Sequence, residues 1–382
     1  MVRSISRVVL LPFRRLSLAP YAIQRTPPPR SALSIIRSTK DPKQILQILQ
    51  SFNRTAPSPH HLRIALTAAV TNLAAANSPS SIRSILSHLP PDDAIVLFAK
   101  AGMLDAAHEV FLSTTPTLKT LSAFLFAHIV TKNYKQVYNL FRKFSLKFHI
   151  TLDIRTYNTV ITGLCHDNSS RSVFSLLDEM WRKGVKPNAI SYNTLIAGLY
   201  REGKLEDVNR VLQMMKNNHC SIGISTVNTR IQSLCKLRRT KEARELLEKT
   251  ISKGMNPNSV TYHHLIHGLC GEGDLEEANR IFDEMVTKGC VADDECYFTM
   301  IYYLCKAGEF EKGLRFCRES MDMNWVPKFS IMKTLIDGLA RCGKFEEARN
   351  LLEDVKMRFP ASVRIWREVK ANVAKHEFLQ ML

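Results

Sequence analysis

The chain has 382 residues, 45% of them hydrophobic, and a formal net charge of +18. No stretch is long and apolar enough to span a membrane. The nine cysteines include no C-x-x-C pair, so the usual signals of a structural zinc or a thioredoxin-like redox site are missing. Residues 1–40 hold seven Arg and one Lys, with no Asp or Glu. With its many Ser and the spaced apolar residues Val8, Val9, Leu10, Leu11, Leu16 and Leu18, this segment has the pattern of an organellar transit peptide. Frequent Arg alternating with apolar clusters favours mitochondria, and therefore the matrix, over chloroplasts. Pro12 and Arg14 interrupt the apolar run too early for a secretory core.

Residues 41–118 are expected to be a helical region of degenerate repeats. Ile45, Leu46 and Ile48 and then Leu62 to Ala75 mark two or three helices over 41–87, and a shorter unit follows at about 88–118. Further on a period emerges. Between Ile154 and Lys328 the sequence restates itself five times in 35 residues, in the registers 154–188, 189–223, 224–258, 259–293 and 294–328. Residues 119–153 fit an earlier unit whose turn near Asn133 reads one residue short, and 329–363 fit a degraded sixth. The array is thus placed at 119–363, and 364–382 read as a capping helix with Trp366 and Val369 facing inward.

One unit shows what each must be. In 259–293 the residues Tyr262, Leu265, Ile266 and Leu269 lie on one face of a helix. Gly271, Gly273 and Asp274 break it, a second periodic run follows through Leu275, Ala278, Ile281, Phe282 and Met285, and Lys288-Gly289 closes that helix. Gly203, Gly308 and Gly343 fall at the turn between helices, and Ala243, Ala278 and Ala348 at a close-packed site in the second helix. One helical pair cannot bury both apolar faces alone, so neighbours must stack into an all-α solenoid.

The starts Thr156 to Ile161 and Ser191 to Ile196, the Leu234-Cys235-Lys236 and Leu304-Cys305-Lys306 turns, the Leu275 to Ala278 run and the Lys183 to Asn188 and Lys253 to Asn258 ends agree at fixed offsets. In these positions the chain resembles the pentatricopeptide repeat family, P-type subclass. The tetratricopeptide alternative has a period of 34 residues and a Trp/Gly/Tyr pattern that is absent. The resemblance implies a right-handed α-solenoid of stacked helix–turn–helix repeats whose first helices line the concave face.

Chemistry is weakly signalled. His263, His264 and His267 lack the Glu of H-E-x-x-H and a third ligand nearby, so no metal is expected. Cys165, Cys235, Cys270 and Cys305 share the twelfth position of their repeats, too far apart to bridge, and read as small core residues. No phosphate-binding loop, nucleophile elbow or recurring carboxylate pair appears. The chain is therefore expected to be no enzyme, with no cofactor and no small-molecule substrate.

Helical repeats that read single-stranded RNA use two or three side chains per base. In the resembling family these are the fifth and last residues of each repeat, which here gives Asn158/Asn188, Asn193/Gly223, Asn228/Asn258, His263/Asp293, Phe298/Lys328 and Lys333/Val363. An Asn amide has donors and an acceptor for a base edge, and the Asn/Asn pairs imply pyrimidines. The family's apolar second position, which sandwiches the base, is met by Ile190 and Val260; Arg155, Ser225, Glu295 and Ser330 depart from it. The thirteenth position carries Arg201, Lys236, Lys306 and Arg341, with His166 and Gly271 as gaps. Cations at that spacing would track a phosphate backbone. The expected function is non-catalytic binding of mitochondrial mRNA or rRNA in support of processing, stability or translation. The alternatives are a structural component of the mitochondrial ribosome and a protein-binding scaffold.

Overall fold

The structure, a computed structural model, describes residues 36, 39, 41–55, 59–323, 325, 328–358 and 363–381. The expected leader at 1–40 lies almost wholly outside them. The described residues are helical throughout and contain no strand. None of their helices is long and apolar enough to cross a membrane.

The chain divides into two units. The first comprises residues up to 89 with 100–102 and contains α1 (Pro42–Thr55), α2 (Pro59–Ala75) and α3 (Pro79–Leu86). Its core is formed by Ile45, Leu49, Ala65, Ala69, Val70, Leu73, Ile82 and Leu86, and the Asn72 amide donates to the Ile36 carbonyl at 2.6 Å. The three helices include Ile45 and the Leu62 to Ala75 run in which the sequence placed them.

The second unit comprises 90–99 and 103–382. It opens with α4 (Pro91–Lys100), whose last residue belongs to the first unit, and α5 (Leu104–Ser113). The first helices of the units that follow are α6 (Leu118–Val130), α8 (Ile154–His166), α10 (Ala189–Arg201), α12 (Ile224–Lys236), α14 (Ser259–Glu272), α16 (Asp294–Ala307) and α18 (Phe329–Arg341). Their second helices are α7 (Tyr134–Lys147), α9 (Ser172–Arg182), α11 (Leu205–Asn217), α13 (Thr240–Ser252), α15 (Leu275–Thr287), α17 (Phe310–Asp322) and α19 (Phe345–Arg358). Helix α20 (Val363–Met381) closes the series against α18 and α19.

First helices pack on one another without interruption from α6 to α20, and each second helix lies against the first helix of its own unit. The seam is apolar: Tyr157, Tyr192 and Tyr262 are fully buried at the fourth position, and Ala243, Ala278 and Ala348 are sealed where the second helix meets the first. Adjacent first helices approach most closely at the tenth position. A Cβ on Gly198 would lie 2.7 Å from the Cys165 sulfur, and one on Gly268 2.6 Å from that of Cys235. The twelfth-position cysteines are thus packing residues, and burial pushes the Cys165 thiol up to about 11 and those of Cys235 and Cys270 to about 12.

Every clear repeat turns through a left-handed residue at its fifteenth position. Gly203, Gly273, Gly308 and Gly343 hold φ between 73° and 90° there, while Asn168 and Arg238 adopt 57° and 56°. One register differs from the sequence reading. Helix α6 begins at Leu118 with Thr117 as its cap, so the unit before Ile154 spans 36 residues; its turn is of ordinary length, and α7 has 14 residues where α11 and α13 have 13. Trp366 and Val369 of α20 are buried, as a capping helix requires.

Candidate nucleic-acid interface

The last residue of each repeat is the cap of the next first helix. Asn188 and Asn258 accept from the backbone N–H groups of Ser191 and Thr261 at 3.2 and 3.1 Å, and the Ser191 and Thr261 hydroxyls accept in return from the cap N–H groups. This is the reciprocal capping box. Asp293 caps α16 through the Cys296 N–H at 3.0 Å; burial pushes its carboxyl upward, but hydrogen bonds from Ser259 and Cys296 outweigh it and the group titrates below the usual range.

The fifth residue is latched to the same hydroxyl. Ser191 Oγ donates to Asn158 Oδ1 at 2.6 Å, and Thr261 Oγ1 donates to Asn228 Oδ1 at 2.6 Å. The Asn228 amide further donates to Asn258 Oδ1 at 3.2 Å, and Asn228 is 8% exposed. Both carbonyl oxygens are thus turned into the seam, and the Asn228 amide is engaged there as well. Asn193 differs because Gly223 leaves it no side-chain cap beside it. Its amide reaches Ser225 at 3.5 Å and its Oδ1 is sealed without a partner. His263 pairs with Thr299 at 3.1 Å, and burial lowers its pKa. In the degraded unit Lys333 meets Glu368 of α20 at 3.4 Å, which takes it out of a base-reading set; the side chain of Val363 lies outside the described residues.

The second-position residues stand at the surface. Ile190 is 61% and Val260 41% exposed, against the sealed fourth-position tyrosines beside them, while Arg155 and Glu295 are exposed as charges. The thirteenth-position cations Arg201, Lys236, Lys306 and Arg341 are all exposed. None of the four meets a carboxylate among the described residues. Arg201 donates to the Cys165 carbonyl of the preceding first helix at 3.0 Å, Arg341 to the Asp337 carbonyl at 3.4 Å, and Lys306 lies over the Tyr303 ring at 5.9 Å. Part of their role is therefore to cap carbonyls at helix C-termini. Helices α6, α8, α10 and α12 contain no Asp or Glu at all, whereas α16 opens with Asp294 and Glu295.

On the second helices several cations are paired. Arg142 and Lys183 hold Glu179 at 2.7 and 2.8 Å, Arg171 holds Asp207 at 2.8 Å, and Arg244 joins Glu248, Glu277 and Glu284 at 2.9–3.2 Å.

Between α12 and α14 lies a cleft of about 350 Å³ lined by Gln232, Lys236, Arg238, His264, His267 and Glu272, with Gly271 at its edge. Burial, then His263 and Lys236, lower the His264 pKa to about 4, so its imidazole is neutral at neutral pH. No cluster among the described residues has the makings of a metal site. Sequence reasoning missed the third-position hydroxyls Thr156, Ser191, Thr226 and Thr261, which are fully buried. Their recurrence two residues before each Asn was the available signal.

The PPR repeat family matches residues 152–199, 187–236, 222–271 and 257–306, and a PPR repeat matches 330–358. A mitochondrial pentatricopeptide repeat-containing protein of Arabidopsis thaliana is 39% identical over 178 residues, covering 42% of this chain and 44% of that protein. The small ribosomal subunit protein mS78 of the same plant is 28% identical over 212 residues, covering 48% of this chain and 52% of its own length. The chain thus spans about half the length of these curated relatives. The crystal structure of the maize pentatricopeptide repeat protein PPR10 superposes with a TM-score of 0.54 at 19% identity, over 86% of this chain and 54% of that one, a likeness of fold.

Proposed function

Residues 152–306 and 330–358 are pentatricopeptide repeats, and from that premise we propose that the chain binds single-stranded RNA along its first-helix layer without transforming it. The observation that carries this reading is the pairing of charge: the four thirteenth-position cations recur without carboxylate partners, on a layer whose helices α6, α8, α10 and α12 hold no acid, while several second-helix cations are paired. Unpaired cations spaced one repeat apart release counterions when phosphates replace them. Asn158, Asn188, Asn193, Asn228, Asn258, His263 and Asp293 would face successive bases, with Ile190 and Val260 as apolar contacts to base faces. With its Oδ1 engaged by Ser191, Asn158 keeps its amide donors for the carbonyl acceptors of a pyrimidine. The acid-free leader and the mitochondrial relative support a mitochondrial matrix location, where the RNA would be an mRNA or rRNA.

A second reading is favoured by α16. Its Asp294 and Glu295 would repel a backbone, leaving a short RNA track, and one relative is a small ribosomal subunit protein. On this reading the chain is installed on the mitochondrial ribosome and its RNA is ribosomal. Anisotropy titration of purified full-length chain with single-stranded RNA across a salt series tests the first reading: affinity must fall steeply with salt. Absence of RNA binding at low salt, with co-sedimentation on a ribosomal subunit that survives ribonuclease, overturns it.

A further inference from the structure

Two departures from the repeat pattern face the same cleft. At the fifteenth position, where four units use glycine, repeat 224–258 places Arg238 at a φ of 56°. A side chain there is strained relative to glycine. At the thirteenth position, where four units carry a cation, the next repeat has Gly271. A Cβ on Gly271 would meet nothing nearer than the Tyr303 hydroxyl at 3.8 Å, so the missing side chain leaves open space. Asn168 and Lys132 share that left-handed geometry in their own units, so what sets this place apart is the long cationic side chain of Arg238 beside a vacated volume.

The lining is chemically divided. Lys236 and Arg238 bring unpaired cations to one side, and Lys236 belongs to the line of thirteenth-position charges. Gln232, His264 and His267 bring hydrogen-bonding groups that both donate and accept. The Glu272 carboxylate, which takes the Thr240 hydroxyl at 2.7 Å, would repel an anion, so a phosphate belongs at the Lys236–Arg238 side. The volume of about 350 Å³ is at the small end of ligand pockets. The fifth-position His263 also lines the cleft, about two turns along α14 from Gly271, so the cleft runs from the base-reading edge to the line of thirteenth-position cations.

We propose that the cleft between α12 and α14 is a ribose-phosphate subsite, in which Lys236 and Arg238 take a backbone phosphate and Gln232 and His264 take the 2′-hydroxyl of the adjoining ribose. It rests on the RNA-binding reading and adds to it a means of telling RNA from DNA, since the 2′-hydroxyl is both donor and acceptor. The neutral state of His264 at physiological pH leaves it one donor and one acceptor nitrogen for that hydroxyl.

The test measures the affinity of the full-length chain for oligouridylate and for oligodeoxyuridylate of equal length. The wild-type chain should prefer the ribose form by about tenfold, the value of one well-made hydrogen bond in a site that otherwise leaves its groups unpaired. Gly271→Leu fills the cleft from a helical position with room for a side chain, and it should bring the ratio close to one. His264→Ala should do the same without adding bulk. Arg238→Gly should weaken both oligonucleotides alike and raise the thermal midpoint, because glycine relieves the left-handed strain; loss of a merely structural side chain would not move the two readouts in opposite senses. A wild-type chain that binds both sugars equally, or variants that keep the preference, overturn the subsite. A chain that binds neither oligonucleotide overturns the parent reading instead.

Discussion

The two helical layers of the array are both rich in cations, and the second pairs several of its own while the thirteenth-position cations of the first pair none. In the second-helix layer Arg142, Arg171, Lys183, Arg244 and Lys312 each hold a carboxylate within 3.2 Å. In the first-helix layer Arg201, Lys236, Lys306 and Arg341 are exposed and hold none. A net charge of +18 says that the protein will meet a polyanion but not where. The pairing says where, because a cation already neutralised gains little from a phosphate and an unpaired one gains its full counterion release.

The sharpest way to break this comparison is to neutralise equal numbers on each layer. Arg201→Gln, Lys236→Gln and Lys306→Gln together should reduce the slope of log affinity against log salt by up to about two units, at roughly 0.7 per single-strand phosphate contact. Arg171→Gln, Lys249→Gln and Lys312→Gln, whose partners are Asp207, Glu245 and Glu309, should leave the slope unchanged. Equal losses from the two triples, measured on folded proteins by circular dichroism, would show that total charge and not pairing sets the affinity.

Within the first layer, Asn228 and Asn193 sharpen the comparison further. Both occupy the fifth position, but Asn228 is latched to Thr261 and Asn258 while Asn193 has one long contact. Asn228→Ala should relax selectivity at one nucleotide by about 1–3 kcal/mol, by analogy with good bidentate base contacts. It should also lower unfolding stability by about 0.5–1.5 kcal/mol, since the Thr261 hydroxyl loses its shorter buried acceptor and falls back on Asn258 Oδ1 at 3.0 Å. Asn193→Ala should show the first effect without the second. A randomised-RNA selection paired with urea unfolding separates the two, and an unchanged stability in Asn228→Ala would mean the latch is not a structural element.

That double role marks where sequence reading ends. Period and apolar spacing located the helices, the turns and the buried alanines, because stacking forces the same face inward in every unit. The capping helix was legible from Trp366 and Val369 for the same reason. Asn188 and Asn258 looked like reading positions, and nothing in the one-dimensional pattern showed that their carbonyl oxygens already cap the next helix. The 36-residue unit before Ile154 was misplaced by one because an extra residue inside a long helix, α7, leaves the apolar pattern of its neighbours intact. The cleft beside Gly271 depends on two departures in different repeats meeting in space, and only the packing of α12 against α14 brings them together.

Acidification should separate the layers by window. In the first layer His128 and His264 are held neutral, with pKa values lowered from 6.5 to about 4, first by burial. Between those values the unfolded chain binds more protons than the folded one, so stability falls as pH drops from 6.5 toward 4, by ~1 kcal/mol per histidine at pH 5.5. In the second layer burial raises the Glu179 carboxyl, but Lys183 and Arg142 outweigh it and the group ends below 4.5. Its contribution is therefore present above 4.5 and lost as pH falls through its lowered value. Both ring nitrogens of His128 are buried without partners beside Phe124, so His128→Leu should roughly halve the fall in the upper window, with His264 supplying the rest, and leave the lower one. A wild-type stability that is level from pH 6.5 to 5 contradicts the assignment.

The smallest expected effect tests the unit whose first helix opens with two acids. Glu295 occupies the second position of repeat 294–328, exposed where Ile190 and Val260 present apolar surface in their own repeats. Two costs follow if RNA passes this unit. A carboxylate near the phosphates repels them, by no more than about 1 kcal/mol at an exposed site and less as salt rises, and a charged group must be desolvated to lie against a base. Glu295→Gln removes the first cost and Glu295→Val removes both. If RNA passes the unit, affinity should rise severalfold from wild type to Gln, and again to Val, with the first gain fading in high salt and the second persisting. If the RNA track ends before α16, as the ribosomal reading requires, neither substitution should change affinity at any salt concentration, and protection of the RNA from ribonuclease should stop short of the nucleotide assigned to that repeat.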